Sequence, residues 1–416
     1  MSHDLRNVIE SVFRQESGKI IAGLIRVSGS FDLAEEAMQD AFAAALVHWP
    51  EGGIPENPAA WITSTAHRKL VDYARRARTR HDKEDALAYE TETSIAPENP
   101  FAHDEAMKFP DDRLRLMFTC CHPALNANAQ VALTLRTLGG LTTPEIARAF
   151  LIPEPTLAQR LVRAKTKIQR ARIPYEVPSP HALPERLASV QKTVYLIFNE
   201  GYAATVGDSL IRRELCAEAI RLGRTLCELM SSEPENIGLL ALMLLHDSRR
   251  DARVSAEGEL VTLEEQDRSL WNREQILEGR LLVDQALRMR RPGPYQLQSA
   301  IAALHAQAEK AEATDWRQIA ALYERLLAIQ FSTVIALNHA VAVAMGEDLE
   351  QGLSLINQLG ETGTLESYYL YHAARADLLR RLGRLAEAAE AYKRALALTA
   401  NAVERRYMRQ RLTAIE

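Results

Sequence analysis

The 416-residue sequence is poor in cysteine, with only Cys120, Cys121, Cys216 and Cys227. That count fits a reduced cytoplasmic protein better than a disulfide framework. No apolar run is long enough to span a bilayer, and the N-terminal MSHDLRNVIE lacks the apolar core of a signal peptide. A membrane role is therefore not expected. Excess positive charge is also missing: the formal net charge is −5, so any contact with nucleic acid must come from local patches. Catalytic signatures are absent as well. There is no G-x-S-x-G and no H-E-x-x-H, and SGKI at 17–20 lacks the upstream glycine and the following hydroxyl of a phosphate loop. Neither an enzyme nor a cofactor is expected.

What is present reads almost entirely as helix, because apolar residues recur at three- and four-residue spacing and alanine and leucine are plentiful. The fold class expected is all-α. Charge then divides the first half. Residues 68–83 carry Arg68, Lys69, Arg75, Arg76, Arg78, Arg80 and Lys83 against Asp72 and Asp82. Residues 84–112 reverse the sign and hold Pro97, Pro100 and Pro110, which predicts a flexible acidic linker. A second break, IPYEVPSPHALP at 173–184, contains four prolines. The expected parts are 1–83, the linker 84–112, 113–174, a connector 175–183, and 184–416.

The stretch LTTPEIARAFLIPEPTLAQRLVRAKTKI (141–168) predicts two short helices meeting at a tight turn. Thr142 or Thr143 can cap the first, with Glu145 placed for a capping box, and Pro155 suits the first turn of the second. On that second helix Leu157, Leu161, Ala164 and Ile168 share one face. Gln159, Arg163, Thr166 and Arg170 lie opposite, flanked by Arg160 and Lys167, with Thr156 near the helix start. An apolar back with a cationic, hydrogen-bonding front suits the major groove of DNA, where arginine forks meet guanine and glutamine meets adenine. A solvated basic face on an ordinary helical hairpin would show the same pattern.

Two earlier stretches add to this. FDLAEEAMQDAF (31–42) predicts a helix beginning at Asp32, apolar through Leu33, Ala37, Met38 and Ala41. Glu35, Glu36, Gln39 and Asp40 form its acidic face, which alone could be plain solvated surface. NPAAWITSTAHRKLVDYARRARTR (57–80) opens with an Asn57 cap and Pro58, then runs Trp61 and Tyr73 into an arginine ridge. Cations beside aromatics suit unpaired nucleic acid, although Trp61 also fits a core position.

In this order the elements resemble a sigma factor of bacterial RNA polymerase, of the extracytoplasmic-function type. AEEAMQDAF is similar to that family's AED-x-x-Q-x-x-F signature. The resemblance implies that Asp32, Glu35, Glu36, Gln39, Asp40 and Phe42 meet the β′ coiled coil of core polymerase. AWITSTAHRKLVDYARR resembles the segment that engages the −10 element, implying roles for Asn57, Trp61, Arg68, Lys69, Arg75 and Arg76. The stretch at 141–168 resembles region 4, which implies contact with the β flap and −35 reading by Thr156, Gln159, Arg160, Arg163, Lys167 and Arg170. Departures occur where the family often has Asn (here Arg68), Gly (Leu151 and Pro155) or a basic residue (Ala158), which bears on the promoter sequence read.

The segments FTCCHPAL (118–125), YLIFNEGYAAT (195–205), LLALMLLHDSRRDAR (239–253), DRSLWNREQI (267–276), GPYQLQSAIAALHA (293–306) and RADLLRRLGRLAEAAEAYKRAL (375–396) resemble a subgroup with a long TPR-like extension. Residues 369–398 fit one such unit, with Ala376, Leu379, Gly383, Ala388, Tyr392 and Ala395 at interlocking positions, and WRQIAALYERLLAI (316–329) resembles a helix of an earlier one. That surface implies a protein partner or a ligand, or simple structural packing. Cys120-Cys121-His122 could suggest a metal, but adjacent helical cysteines point about 100° apart, and burial as small hydrophobes is the expectation. A rival reading is a one-component regulator, a helix-turn-helix joined to a helical ligand-sensing domain. It leaves the acidic helix and the arginine ridge of residues 31–80 without a task.

Overall fold

The computed structural model describes residues 3–85, 112–205, 207–346 and 348–416. Among these the secondary structure is helical, with only isolated bridges at Gly207–Asn401 and Val254–Leu260. Chain contacts divide the protein into two units, residues 1–148 with 152–190, and residues 149–151 with 191–416.

The first unit opens with α1 (His3–Ser28), α2 (Phe31–Gly52) and α3 (Pro58–Asp85). Helix α2 begins at Phe31, one residue before the expected Asp32, and is capped by Ser30, whose hydroxyl accepts from the Leu33 N–H at 3.3 Å. Phe31, Ala34, Ala37, Met38, Ala41, Phe42 and Ala45 are buried at helical spacing, so α2 turns one apolar stripe inward. Asn57 caps α3 as expected, its carbonyl oxygen accepting from the Ala60 N–H at 3.0 Å.

Then follow α4 (Asp112–Cys120), α5 (Ala127–Thr137), α6 (Thr143–Ala149), α7 (Glu154–Arg170) and α8 (Leu183–Tyr202). Most of the expected linker at 84–112 lies outside the described residues. Its last residue belongs instead to α4. Asp112 is buried, with its carboxylate held by Arg26 at 3.0 Å and Arg115 at 2.7 Å. The carboxylate has charge partners and hydrogen bonds together, which is what makes its burial tolerable.

The division between the units falls inside α8, not within the proline-rich segment before it. The reason is local. Arg186 donates to the Phe118 carbonyl at 2.6 Å and the Ser189 hydroxyl donates to the Cys121 carbonyl at 2.6 Å. Leu187 and Val190 are buried. The first two turns of α8 therefore belong with α4 and α5.

The second unit contains α9 (Arg213–Leu229), α10 (Pro234–Asp247), α11 (Arg273–Arg288) and α12 (Pro294–Gln307). Helix α10 is apolar nearly all round, Ile237 to Leu245 being buried without a break, and α9, α11 and α12 all pack on it. Helices α13 (Trp316–Ile329), α14 (Thr333–Gly346), α15 (Leu349–Glu361), α16 (Tyr369–Arg381), α17 (Leu385–Leu398) and α18 (Ala402–Thr413) follow. Each packs on the next, which is the nearest-neighbour stacking of a helical repeat. The interlocking positions in 369–398 are filled as expected. Ala376, Leu379, Ala388, Tyr392 and Ala395 are all buried, and Gly383 turns the chain between α16 and α17 at φ 76°.

Candidate nucleic-acid and polymerase interface

The hairpin at 141–170 is a helix-turn-helix with its capping box in place. The Thr142 N–H donates to the Glu145 carboxylate at 2.7 Å, and the Glu145 N–H donates to the Thr142 hydroxyl at 3.4 Å. Leu151, where a glycine was the common alternative, adopts φ 49°, so the turn is left-handed with a non-glycine residue. On α7 the inward stripe is the expected one. Leu157, Leu161, Ala164 and Ile168 are buried, worth roughly 1.5–3 kcal/mol for each of the larger three.

Thr156, Gln159, Arg163, Lys167 and Arg170 are exposed and Arg160 is half-buried. None of the side chains of Gln159, Arg160, Arg163, Lys167 and Arg170 takes part in a hydrogen bond or ion pair among the described residues. Their donors are available to an incoming acceptor, and α7 has no acidic residue beyond Glu154 to compete.

On α2, Asp32, Glu36 and Gln39 are exposed, and Glu35 and Asp40 are half-buried. Phe42 is not on this face. It is buried and meets Phe13 edge-on at 5.2 Å. Asp40 accepts from the Tyr73 hydroxyl at 2.6 Å and lies 3.8 Å from Lys69, so one residue of the acidic face is tied to one of the basic ridge. Arg68 and Arg75 are exposed on α3, Arg68 donating to the Ser64 carbonyl at 3.3 Å. The side chain of Arg76 lies outside the described residues. Trp61 is half-buried and packs edge-on against Trp49 at 5.5 Å, which makes it a wall of the α2–α3 pair as much as a platform.

A further contact was not expected. Lys165 of α7 donates to Glu35 at 2.8 Å and to Asp32 at 3.0 Å. The lysine and Glu35 side chains are each only 15% exposed, while Asp32 is 81% exposed. A cleft of about 350 Å³ beside this pair is lined by Phe31, Asp32, Lys165, Ile168, Arg172 and Tyr175. The Tyr175 hydroxyl donates to the Ala22 carbonyl at 2.8 Å and approaches that of Asp112 at 3.3 Å. Burial pushes this phenol well above the usual tyrosine range. Lys165 sits one position from the buried Ala164, and this edge-of-stripe placement was the sequence signal for an inter-helix role. Its partners, 130 and 133 residues away, gave none.

Cys120 and Cys121 are buried against the Thr137 and Thr134 hydroxyls, at 3.3 and 3.5 Å. Burial raises the Cys120 thiol far above its ordinary value. Among the described residues no group of three or more His, Cys, Asp and Glu could hold a metal, and no helix is long and apolar enough to cross a membrane.

Residues 12–80 match the family model "Sigma-70 region 2", and residues 115–168 match "Sigma-70, region 4". The chain is also 46% identical over 400 residues to an uncharacterized protein of Rhizobium meliloti (strain 1021), covering 94% of this chain and 92% of that one. The two matched domains are those of a sigma factor. As a sigma factor the protein binds core RNA polymerase and promoter DNA, with α2 and α3 in its region 2 and α6 and α7 in its region 4. Residues 186–287 of this sigma factor match a family of unknown function (DUF6596). Its chain also aligns with the crystal structure of yeast Tom70 at a TM-score of 0.30 and 13% identity, over 99% of this chain and 85% of that one.

Proposed function

We propose that the protein is an alternative sigma factor of the extracytoplasmic-function type, acting in the cytoplasm, that carries its own regulator in a TPR-like extension. The acidic face of α2 docks on the β′ coiled coil of core polymerase, and region 4 meets the β flap. Helix α7 reads the −35 element through Gln159 and Arg163, with Arg160, Lys167 and Arg170 on phosphates and Thr156 at the entry to the groove. Asn57, Trp61, Arg68, Lys69, Arg75 and Arg76 hold the −10 strand as the duplex opens. The observation that carries this reading is an acidic helix face and a helix-turn-helix whose exposed cations have no partner among the described residues.

The test is transcription from a genomic promoter library with purified protein and core polymerase. Discrete start sites are the expected result. Absence of any protein-dependent start would remove the reading. DNA binding without polymerase dependence would favour a one-component regulator instead.

A further inference from the structure

Three arginines of the second unit, Arg249, Arg253 and Arg268, crowd a set of aromatic rings with no acid among them. Arg249 donates to the Tyr202 hydroxyl at 2.8 Å and lies 3.0 Å from Nδ1 of His246. The Arg253 guanidinium sits over the Tyr202 ring at 3.7 Å and donates to the Tyr202 carbonyl. Arg268 stacks on Trp271 at 4.6 Å, a ring that Arg249 also approaches at 5.9 Å, and donates to the carbonyls of His305 and Ala308. All three arginines are half-buried.

Among the described residues none of these arginines has a carboxylate within ion-pair distance, although most other arginines of the same unit do. Of the acids nearby, Glu312, which acts on Arg268, is exposed to solvent, and the other two are engaged. Glu404 accepts from the Tyr369 and Thr399 hydroxyls, and one Asp247 oxygen holds Arg250 and Gln275. Three positive charges this close repel one another, and a protein keeps such a cluster at a cost to its stability. The inventory is also lopsided. Each guanidinium has five N–H donors, of which the contacts above use one or two, and Nε1 of Trp271 is a buried donor with no partner among the described residues. His246 and His305 are both driven toward the neutral form by burial and by Arg249, His305 to about 3. Every group that hydrogen-bonds these arginines is neutral, and negative charge is what the cluster lacks.

We propose that Arg249, Arg253 and Arg268, with Tyr202 and Trp271, form a binding site in the C-terminal extension for a small oxyanion ligand, a phosphate ester or a di- or tricarboxylate. Arginine forks match such oxygens in pairs, and burial beside aromatic rings strengthens each charge-assisted bond. The tyrosine and tryptophan rings hold the guanidiniums in place before the ligand arrives, which lowers the ordering cost of binding.

The experiment uses the full chain in a chloride buffer at constant ionic strength. Pyrophosphate, inorganic phosphate and succinate are the probes, with binding followed by calorimetry and stability by thermal unfolding. The expected result is saturable one-to-one binding of at least one probe and a rise of several degrees in its presence. Arg249→Gln with Arg268→Gln should weaken binding by about tenfold or more. The same double variant in chloride alone should unfold at or above the wild-type temperature, because a mutual repulsion has been relieved. A response to pyrophosphate or phosphate alone assigns phosphate esters, and a response to succinate alone assigns carboxylates. The proposal is overturned by no saturable binding at millimolar probe, or by binding that survives in the double variant. It is equally overturned if the double variant unfolds well below wild type in chloride, since the arginines are then braces for Tyr202 and Trp271.

Discussion

Nζ of Lys165 lies 2.8 Å from Oε2 of Glu35, joining the region 4 helix proposed to read DNA to the region 2 helix proposed to dock on polymerase. The same ammonium holds Asp32 at 3.0 Å. Two carboxylates of the proposed docking face are thus neutralised from within the first unit. Polymerase that uses this face must displace the lysine. Lys165→Gln should therefore tighten core binding about two- to fivefold, the worth of about 0.5–1 kcal/mol for a partly exposed pair. The gain should shrink as salt is raised. Titration of labelled protein with core enzyme measures both. Unchanged or weaker binding would mean that the pair does not oppose docking. Reversal of Glu36 to lysine, which has no contact with Lys165, should weaken the same complex.

On α7, Arg163→Ala should cost about 1–3 kcal/mol of promoter affinity and relax the preference at one base. Lys167→Ala should weaken all sequences alike and reduce the dependence on salt. Selections from randomised −35 sequences at two salt concentrations separate the outcomes. If neither substitution alters selectivity or salt slope, α7 is not the reader.

Stability of the second unit should fall as acid is added, starting near neutrality. His305 is held to about 3 by burial and by Arg249 and Arg268, against 6.5 when unfolded, and His246 is shifted the same way. A histidine whose folded value is depressed leaves its proton to the unfolded chain as pH drops through 6.5. It therefore contributes full stability above that point and loses it progressively down to its folded value. From pH 7.5 to 5.5 the loss should be about 1 kcal/mol per histidine. Thermal unfolding across that range should show the slope, and His305→Gln should flatten it. A flat wild-type profile would count against the burial described.

Gly352→Ala tests the repeat stack. A Cβ there would fall 2.3 Å from Cβ of Ala344 and 2.8 Å from the Ala340 carbonyl oxygen, both on the neighbouring helix α14. Helix propensity alone favours alanine by about 1 kcal/mol. Overpacking outweighs it, so the expected net loss is about 1–3 kcal/mol in chemical unfolding. A stabilised variant would mean that α14 and α15 separate easily.

Removal of the extension should change promoter-specific transcription strongly in either direction, and the cut must be placed by structure. Ending the chain before Leu183 deletes Arg186, which donates to the Phe118 carbonyl, and Ser189, which with Gln130 donates to that of Cys121. Ending it after Val190 keeps both. The longer fragment should unfold at the higher temperature, and its transcription compared with the full chain tests regulation. Equal activity in vitro and in cells would leave the extension without that role.

Much of this was written in local pattern. Helix α7 with its stripe, and the capping box of α6, follow from residues a turn apart along the chain, and the α16–α17 interlock from a pattern within 30 residues. The helix boundaries at Ser30 and Asp112 were less legible. Ser30 competes with Asp32 as a cap of equal chemistry, and Asp112 looks like linker until Arg26, 86 residues earlier, is beside it. The Lys165 pair and the arginine cluster were invisible for the same reason. Their meaning lies in which charges the fold brings together and which it leaves alone, and spacing along a chain carries neither.

Tyr175 adds a property of another kind. Its hydroxyl reaches the Ala22 carbonyl, an oxygen in the interior of α1 that a helix already satisfies through its own ladder. Breaking that contact leaves no orphaned backbone group, and water can take up the phenol at once. The Lys165 ammonium and its two acids can likewise be rehydrated without a cavity being opened. These polar ties of α7 and its tail to α1 and α2 are thus a latch rather than a weld, since each can be exchanged for water.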